Sequence, residues 1–254
     1  MNPLKVLVVD DNIINQKVAV KMLERLSIQT VVANNGIEAV EALKINRFDM
    51  ILMDIQMPDM DGLEATRTIR TIEGNEFHTV IIALTANAMQ GDRERCLQAG
   101  MDDYLSKPIK QNDIDGMVEK WLSVKPAVDS GKAEAADAAF KAIIDPKRIE
   151  EIKEIGDDGL LKELLNLYLE DLKQFSREVL SAQNAGNFQL IYESSHKLKG
   201  SSANLGVESI RQACIQMEQF AKDRDPAKIS VQLTAMQETM EQIRMFITVK
   251  FPAQ

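Results

Sequence analysis

The chain has 254 residues, of which 45% are hydrophobic and 27% charged, a composition typical of a globular protein. This length is enough for about two domains. Two cysteines are too few for a disulfide scaffold or a cysteine zinc cluster. The net charge of −9 argues against nucleic-acid binding, and the sequence shows neither a signal-peptide pattern nor an apolar run long enough to span a membrane. We therefore expect no nucleic acid and no membrane contact.

Short apolar runs alternate with helical patterns throughout the first half of the sequence. The runs are typical of buried strands and lie at Leu4–Val9, Thr30–Ala33, Met50–Met53, Val80–Leu84 and Tyr104–Leu105. A helical stretch follows each run. Five strands alternating with five helices predict an α/β fold with a doubly wound, five-stranded parallel sheet covered on both faces. Ligands of such sheets bind at the carboxyl ends of the strands.

The second half lacks a strand pattern and predicts a different architecture. Residues 125–142 are rich in alanine and lack apolar periodicity, so we interpret them as a linker that is flexible or partly helical. Beyond them, long apolar stripes at helical spacing are separated by turn-forming residues. This pattern predicts an all-α four-helix bundle with short loops, preceded by a short amphipathic helix near Pro146–Ile155. The expected domains are residues 1–124 and 143–254.

Three acidic residues stand at the ends of predicted strands. Asp10 and Asp11 end the first strand, and Asp54 ends the third, which is its neighbour in a doubly wound sheet. Carboxylates meeting there would repel one another unless a cation lay among them, and Mg²⁺ prefers such oxygen ligands. The alternative is that Asp10 and Asp11 cap the following helix. Thr85 and Lys107 weaken that alternative, because a hydroxyl and an ammonium at the same edge suit a phosphoryl group.

Four short pieces of this half resemble the receiver domain of two-component response regulators, which has a flavodoxin-like fold. Together they cover about residues 3–123, and they are Val8–Asn12, Met53–Gly62, Leu84–Ala86 and Tyr104–Pro108. The resemblance implies that Asp54 is the phosphoryl acceptor, whose carboxylate attacks phosphorus and forms an acyl phosphate.

The same resemblance assigns roles to the residues around Asp54. It implies that Asp11 and Asp54 bind Mg²⁺ directly. Asp10 would bind the ion through water, and the backbone carbonyl of Gln56 would be a third protein ligand. Lys107 would pair with the phosphoryl oxygens.

Two further residues match the switch pair of receiver domains. The resemblance implies that the Thr85 hydroxyl moves toward the phosphate while the ring of Tyr104 turns inward. The alternative for Tyr104 is an ordinary packing residue at the sheet edge. Pro108 resembles the cis-proline of the family, which would set the direction of Lys107.

The second half contains one histidine with unusual neighbours. On a helical wheel at about 100° per residue, His196 lies about 140° from the apolar stripe of the helix Phe188–Leu205, so we expect it to face water. Lys199 and Gly200 follow at i+3 and i+4. A mid-helix glycine costs roughly 0.5–1 kcal/mol relative to alanine, and clearance for a bulky group on the imidazole would compensate for it. The other histidine, His78, lies in a loop without such neighbours, and we interpret it as a surface residue.

The segment Ser195–Gly206 resembles the core motif of histidine phosphotransfer (HPt) domains. The similarity of helical layout extends over about residues 143–250. It implies that His196 is phosphorylated and attacks as a neutral imidazole, because protonation removes the nucleophilic lone pair. Lys199 and Gly200 would take supporting roles.

The two resemblances imply a phosphorelay intermediary. A phosphoryl group would move between Asp54, His196 and two partners, a histidine kinase and a downstream response regulator. We find neither the nucleotide-binding boxes of a histidine kinase nor a glycine-rich phosphate loop with a lysine, so we expect no use of ATP and leave its status as an enzyme open. The expected location is the cytoplasm, either as a free protein or as the cytoplasmic part of a membrane-bound hybrid sensor kinase.

Two alternative functions stay open at this point. The receiver could act as a phosphorylation-controlled lid on the helical bundle rather than as a direct relay step. The bundle could also be a kinase dimerisation domain without its ATPase partner. Against the second alternative, those domains typically place an acid after the histidine, whereas this chain has Lys197.

Overall fold

A computed structural model of the chain describes residues 4–74, 76–85, 90–122 and 143–251. These residues divide into two compact units, one on each side of the 123–142 segment. The predicted linker at 125–142, and with it the domain boundaries, lies outside the described residues and stays a prediction. Within the described ranges, no helix is both long enough and apolar enough to cross a membrane.

Five parallel strands form a single sheet in the N-terminal unit. They are β1 (Lys5–Val9), β2 (Gln29–Ala33), β3 (Met50–Asp54), β4 (Val80–Thr85) and β5 (Asp103–Ser106). Their order across the sheet is β2-β1-β3-β4-β5. Because β2 lies on one side of β1 and β3 on the other, the loops after β1 and β3 border the crevice in which such sheets bind ligands. The predicted doubly wound parallel sheet is confirmed.

Helices connect these strands and cover the sheet. They are α1 (Ile13–Glu24), α2 (Gly36–Ile45), α3 (Gly62–Glu73), α4 (Gln90–Ala99) and α5 (Gln111–Leu122). The side chain of Asn12 accepts hydrogen bonds from the backbone N–H groups of Ile14 and Asn15 and thereby caps α1. The side chain that caps this helix is therefore that of Asn12 rather than that of Asp10 or Asp11.

The C-terminal unit is an antiparallel bundle of helices, as predicted. They are α6 (Pro146–Asn184), α7 (Phe188–Leu205), α8 (Glu208–Asp223) and α9 (Pro226–Lys250). α7 packs against both α6 and α8, and α9 packs against α6 and α8. Non-helical backbone at Asp157, with φ of 75°, divides α6. The part before this break corresponds to the short amphipathic helix that the sequence predicts.

Small polar residues of α7 are buried within the bundle. Ser195, Ser201 and Ser202 are fully buried. The hydroxyl groups of Tyr168 and Ser202 are 2.6 Å apart, so the buried phenol has a hydrogen-bond partner. The contact between Tyr168 and Ser202 joins α6 to this buried face of α7.

Candidate functional site

Three carboxylates meet at the carboxyl edge of the sheet. Asp10 and Asp11 follow β1, and Asp54 is the last residue of β3. One carboxylate oxygen from each of them lies within 4.8 Å of the others. Asp10 and Asp54 are buried, and Asp11 is partly exposed. The structure thus brings together the three acidic residues that the sequence predicts as a metal site.

Lys107 reaches into this cluster from the loop after β5. Its Nζ donates hydrogen bonds of 2.7 Å to Oδ2 of Asp10 and 2.7 Å to Oδ2 of Asp54. Its backbone N–H donates to the carbonyl of Thr85, at 2.7 Å, and this bond ties the loop to the end of β4. The peptide bond between Lys107 and Pro108 is cis, as the resemblance predicts.

Burial and mutual repulsion govern the charges in this cluster. The pKa of the Asp54 carboxyl rises to about 7, because burial and the charges of Asp10 and Asp11 outweigh the stabilising ammonium of Lys107. Burial alone would lower the pKa of Lys107, but the carboxylates of Asp10 and Asp54 hold it above its ordinary value. Lys107 is therefore charged, and the carboxylates around it are crowded enough to favour a further cation.

Two residues that the sequence analysis did not single out orient Asp10. The side-chain amide of Asn15 donates to both carboxylate oxygens of Asp10, at 2.9 and 3.2 Å. The amide of Gln16 donates to the backbone carbonyl of Asp10, at 2.6 Å. Both residues lie on the first turn of α1, where helical spacing alone marks them as ordinary polar residues. They hold the Asp10 carboxylate toward the cluster.

The remaining predicted residues of the receiver lie around this edge. Thr85 is buried at the end of β4, and Tyr104 on β5 is partly buried against the core of the unit. The guanidinium of Arg93 lies 5.8 Å from the centre of the Tyr104 ring. The backbone N–H of Gln56 donates to Oδ1 of Asp54 at 3.3 Å, which places this residue beside the cluster. The switch roles and the carbonyl ligand stay predictions.

His196 lies on α7 against the neighbouring helix α8 and is partly exposed, where the sequence predicts a residue that faces water. Its side chain is only 21% exposed. Nδ1 lies 3.0 Å from Oε1 of Glu218 on α8 and 3.3 Å from Nζ of Lys199. The helical wheel gives the angle to the apolar stripe correctly, but it contains no information on a second helix covering the other side.

Glu218 is the residue of this site that the sequence analysis missed. Its Oε1 also accepts a 2.5 Å hydrogen bond from Nζ of Lys199, so one oxygen holds both residues. Burial alone would raise the pKa of Glu218, but the hydrogen bonds from His196 and Lys199 hold it below its ordinary value. When Nδ1 donates to this carboxylate, Nε2 of His196 carries the free lone pair.

Gly200 and His78 complete the predicted set of residues. Gly200 lies on α7 one turn beyond His196 and is partly buried. His78 lies in the N-terminal unit, 56% exposed, with Nε2 at 2.6 Å from Oδ1 of Asp102. His78 is thus an exposed residue in hydrogen-bond contact with Asp102, in agreement with its interpretation as a surface residue.

Comparison with protein families assigns both units. Residues 6–119 match the response regulator receiver domain, and residues 163–246 match the Hpt domain. The chain is therefore a receiver domain followed by a histidine phosphotransfer domain. These two families support a role in a two-component phosphorelay.

The curated relatives are sensor kinases much longer than this chain. Sensor protein GacS of Pseudomonas syringae is 32% identical over 228 residues, which cover 87% of this chain and 25% of the relative. The histidine-protein kinase BarA of Escherichia coli is 32% identical over 221 residues, covering 85% and 24%. The chain thus spans about a quarter of the length of these relatives and corresponds to their receiver and HPt regions.

Solved structures also match one part of the chain. One is the receiver domain of sensor histidine kinase PA1611 of Pseudomonas aeruginosa, whose structure has a magnesium ion in the active-site cleft. It is 45% identical to this chain, with a TM-score of 0.45, and the match covers 48% of this chain and 99% of that one. A complex of the Saccharomyces cerevisiae phosphotransfer protein Ypd1 with the receiver domain of Ssk1 gives 33% identity and a TM-score of 0.45, covering 50% and 94%.

Proposed function

We propose that this chain carries a phosphoryl group along a phosphorelay, with Asp54 and His196 as its two carriers. The observation that supports the proposal is that each nucleophile lies beside a lysine ammonium. Nζ of Lys107 is 2.7 Å from Asp54, and Nζ of Lys199 is 3.3 Å from Nδ1 of His196. The phosphoryl group is anionic on either carrier, so a positive charge beside each of them would stabilise it.

In the receiver step, a carboxylate oxygen of Asp54 attacks phosphorus, a P–O bond forms, and the bond from phosphorus to the donor breaks. Lys107 hydrogen-bonds both Asp10 and Asp54, so its ammonium is close enough to neutralise phosphoryl oxygens as they arrive. Thr85 and Tyr104 would then report the phosphorylated state by changing position.

The acidic cluster fits a magnesium ion, because three carboxylate oxygens converge within 4.8 Å and hard oxygen ligands are the ones Mg²⁺ prefers. Asp11 and Asp54 would hold the ion directly. Asp10 would hold it through water, and Gln56 through its backbone carbonyl. When bound, the ion would neutralise charge on the phosphoryl oxygens.

In the HPt step, Nε2 of His196 attacks the phosphorus of an aspartyl phosphate. A P–N bond forms, the P–O bond breaks, and the aspartate leaves as a carboxylate. Glu218 holds the Nδ1 proton throughout, which keeps the Nε2 lone pair available. Lys199 would stabilise the phosphoryl charge, and Gly200 would leave room beside the ring. The reverse of the same step passes the group to another receiver.

The partners of such a relay are a histidine kinase upstream and a response regulator downstream. We assign the chain to the receiver and HPt region of a hybrid sensor kinase, since its curated relatives are longer proteins of that class. The chain itself would then be a phosphotransfer region that receives its phosphoryl group from elsewhere.

The test is phosphorylation by acetyl phosphate with Mg²⁺, followed by intact mass and by acid and alkali lability of the adduct. We expect an alkali-labile adduct that Asp54→Asn abolishes and an acid-labile, alkali-stable adduct that both Asp54→Asn and His196→Gln abolish. His78→Gln is the matched control, because it removes the other histidine and should leave both adducts in place.

Three other outcomes are informative. An acid-labile, alkali-stable adduct that survives in His196→Gln would contradict the assignment of the histidine, and an alkali-labile adduct that survives in Asp54→Asn would contradict that of the aspartate. An alkali-labile adduct alone would favour the alternative in which the receiver covers the HPt domain, or two carriers that serve separate partners.

A further inference from the structure

A cavity of the C-terminal unit lies close to His196. It has a volume of about 450 Å³ and opens between the start of α7, near Phe188, and the end of α8. Tyr192 forms part of its wall, together with Lys222 and Arg224. None of these residues belongs to the site described above.

Tyr192 lies between the cavity and the histidine site. The rings of Tyr192 and His196 are stacked, with their centres 6.2 Å apart and an angle of 28° between them. Nζ of Lys222 lies 5.0 Å from the centre of the Tyr192 ring. Because α7 and α8 are antiparallel, the pair Tyr192 and Lys222 lies one helical turn, about 5.4 Å, from the pair His196 and Glu218. A protein that reaches His196 therefore also covers the cavity.

The charges around the cavity favour an acidic occupant. Lys222 and Arg224 are exposed, and neither makes an ion pair with another described residue. The two acidic residues nearest in sequence are engaged elsewhere: Asp223 accepts a hydrogen bond from Gln219, and Asp225 pairs with Lys228. The N-terminal end of α7 adds the positive end of its helix dipole.

The N-terminal unit presents an acidic side chain beside its own nucleophile. Asp59 is exposed in the turn between β3 and α3, five residues after Asp54, and its backbone is left-handed, with φ of 66°. The same turn returns directly to the site, because Gly62 packs against the backbone carbonyl of Asp54. For transfer, the phosphorus atom carried by Asp54 must come within about 3–3.5 Å of Nε2 of His196, so this turn must lie near His196.

We propose that the cavity bounded by Tyr192, Lys222 and Arg224 receives the Asp59 turn of a receiver domain of this kind and thereby selects its transfer partner. This inference rests on the proposed function. The salt bridges at the edge of this interface would act mainly on the rate at which the two domains meet and on their relative orientation, rather than on the chemical step.

The test is transfer between two copies of the full chain. A donor copy with His196→Gln is phosphorylated by acetyl phosphate, and an acceptor copy with Asp54→Asn receives the group on His196. For each acceptor variant, the rate of transfer from the donor copy is divided by the rate at which phosphoramidate labels His196 in that variant. Phosphoramidate is a small donor that does not need the cavity.

Charge reversal of the cavity with Lys222→Glu and Arg224→Glu should raise the KM for the donor about tenfold, with a smaller change in kcat, and reduce the salt dependence of transfer. Asp59→Lys in the donor should restore much of the loss, because it re-forms the pair with opposite signs. Lys173→Glu on α6, an exposed lysine outside the cavity, is the matched control.

The failures of the two proposals are distinguishable. A wild-type chain in which acetyl phosphate leaves Asp54 unmodified, or phosphoramidate leaves His196 unmodified, would contradict the proposed function itself. If both sites are labelled, the inference is overturned by any of three results: no transfer between copies, no effect of charge reversal on the normalised rate, or no restoration by Asp59→Lys.

Discussion

At the scale of single residues, one carboxylate oxygen organises the histidine site. Oε1 of Glu218 lies 3.0 Å from Nδ1 of His196 and 2.5 Å from Nζ of Lys199. The side chain of Glu218 is 13% exposed, so these contacts form where water competes weakly. Glu218 therefore sets both the orientation of the imidazole ring and the position of the ammonium, and its removal should affect both.

Removing this carboxylate should change which ring nitrogen is phosphorylated. In Glu218→Ala we expect phosphoramidate to label His196 about tenfold more slowly, the equivalent of losing a hydrogen bond to a charged group, and Nδ1-phosphohistidine to accompany the Nε2 form. Glu218→Gln keeps an acceptor for Nδ1–H, so it should retain the Nε2 form. Phosphorus NMR of the denatured protein distinguishes the two isomers, and Nε2 alone in Glu218→Ala would show that Glu218 does not position the ring.

The sequence could predict His196 but not its partner. His196, Lys199 and Gly200 lie within five residues of one another on one helix, so their spacing is visible in the sequence. Glu218 is 22 residues away on the next helix. Which α8 residue meets His196 depends on how the two helices pack, and this depends on the core side chains of the whole bundle. For the same physical reason, the sequence could not predict that His196 is only partly exposed.

At the scale of elements, the end of β3 depends on how closely α3 approaches it. A Cβ atom on Gly62, the first residue of α3, would lie 2.0 Å from the backbone carbonyl oxygen of Asp54. The contact is with backbone rather than with a flexible side chain, so the strand end or the helix would have to move. The position of the Asp54 carboxylate thus depends on a glycine in the following helix.

Gly62→Ala should destabilise the N-terminal unit by about 1–3 kcal/mol, the usual cost of an overpacked contact, and weaken phosphorylation of Asp54. The single tryptophan, Trp121 on α5, reports unfolding of this unit by fluorescence in urea. Gly116→Ala on α5 is the matched control, because nothing lies within 4 Å of its Cβ position. It should be neutral or stabilise by up to about 1 kcal/mol. Equal urea midpoints for the two variants would show that the close approach of Gly62 to Asp54 does not limit the stability of this unit.

Most elements could be predicted because their signals are local. The buried strands β1, β3 and β4 are continuous apolar runs, and a strand covered on both faces needs little else. β5 extends from Asp103 to Ser106, and it is defined by backbone pairing with β4. The polar side chains at its two ends interrupt the apolar pattern, so the sequence predicts only its centre. The break in α6 is visible as a gap in the apolar stripe, but its position at Asp157 is fixed by the carboxylate of that residue, which accepts from the N–H groups of Gly159 and Leu160.

At the scale of the whole molecule, the two proposed carriers belong to separate hydrophobic cores. The sheet and its helices bury one set of apolar residues, and the bundle buries another. The three carboxylates of the candidate metal site all come from the N-terminal unit. Any stabilisation from a bound cation therefore acts on that unit alone, since a ligand stabilises only the folded structure that holds it.

Magnesium should raise the urea midpoint of the Trp121 transition and leave hydrogen exchange of α8 unchanged. At about 100 times its dissociation constant, the ion should add roughly 2.7 kcal/mol to the stability of the N-terminal unit, and EDTA should reverse the effect. Asp11→Ala should abolish most of the gain. Asp49→Ala is the matched control, because Asp49 precedes β3 at the opposite edge of the sheet and bonds the backbone of Lys5. If magnesium still stabilises Asp11→Ala fully, or no longer stabilises Asp49→Ala, the ion binds somewhere other than the three carboxylates.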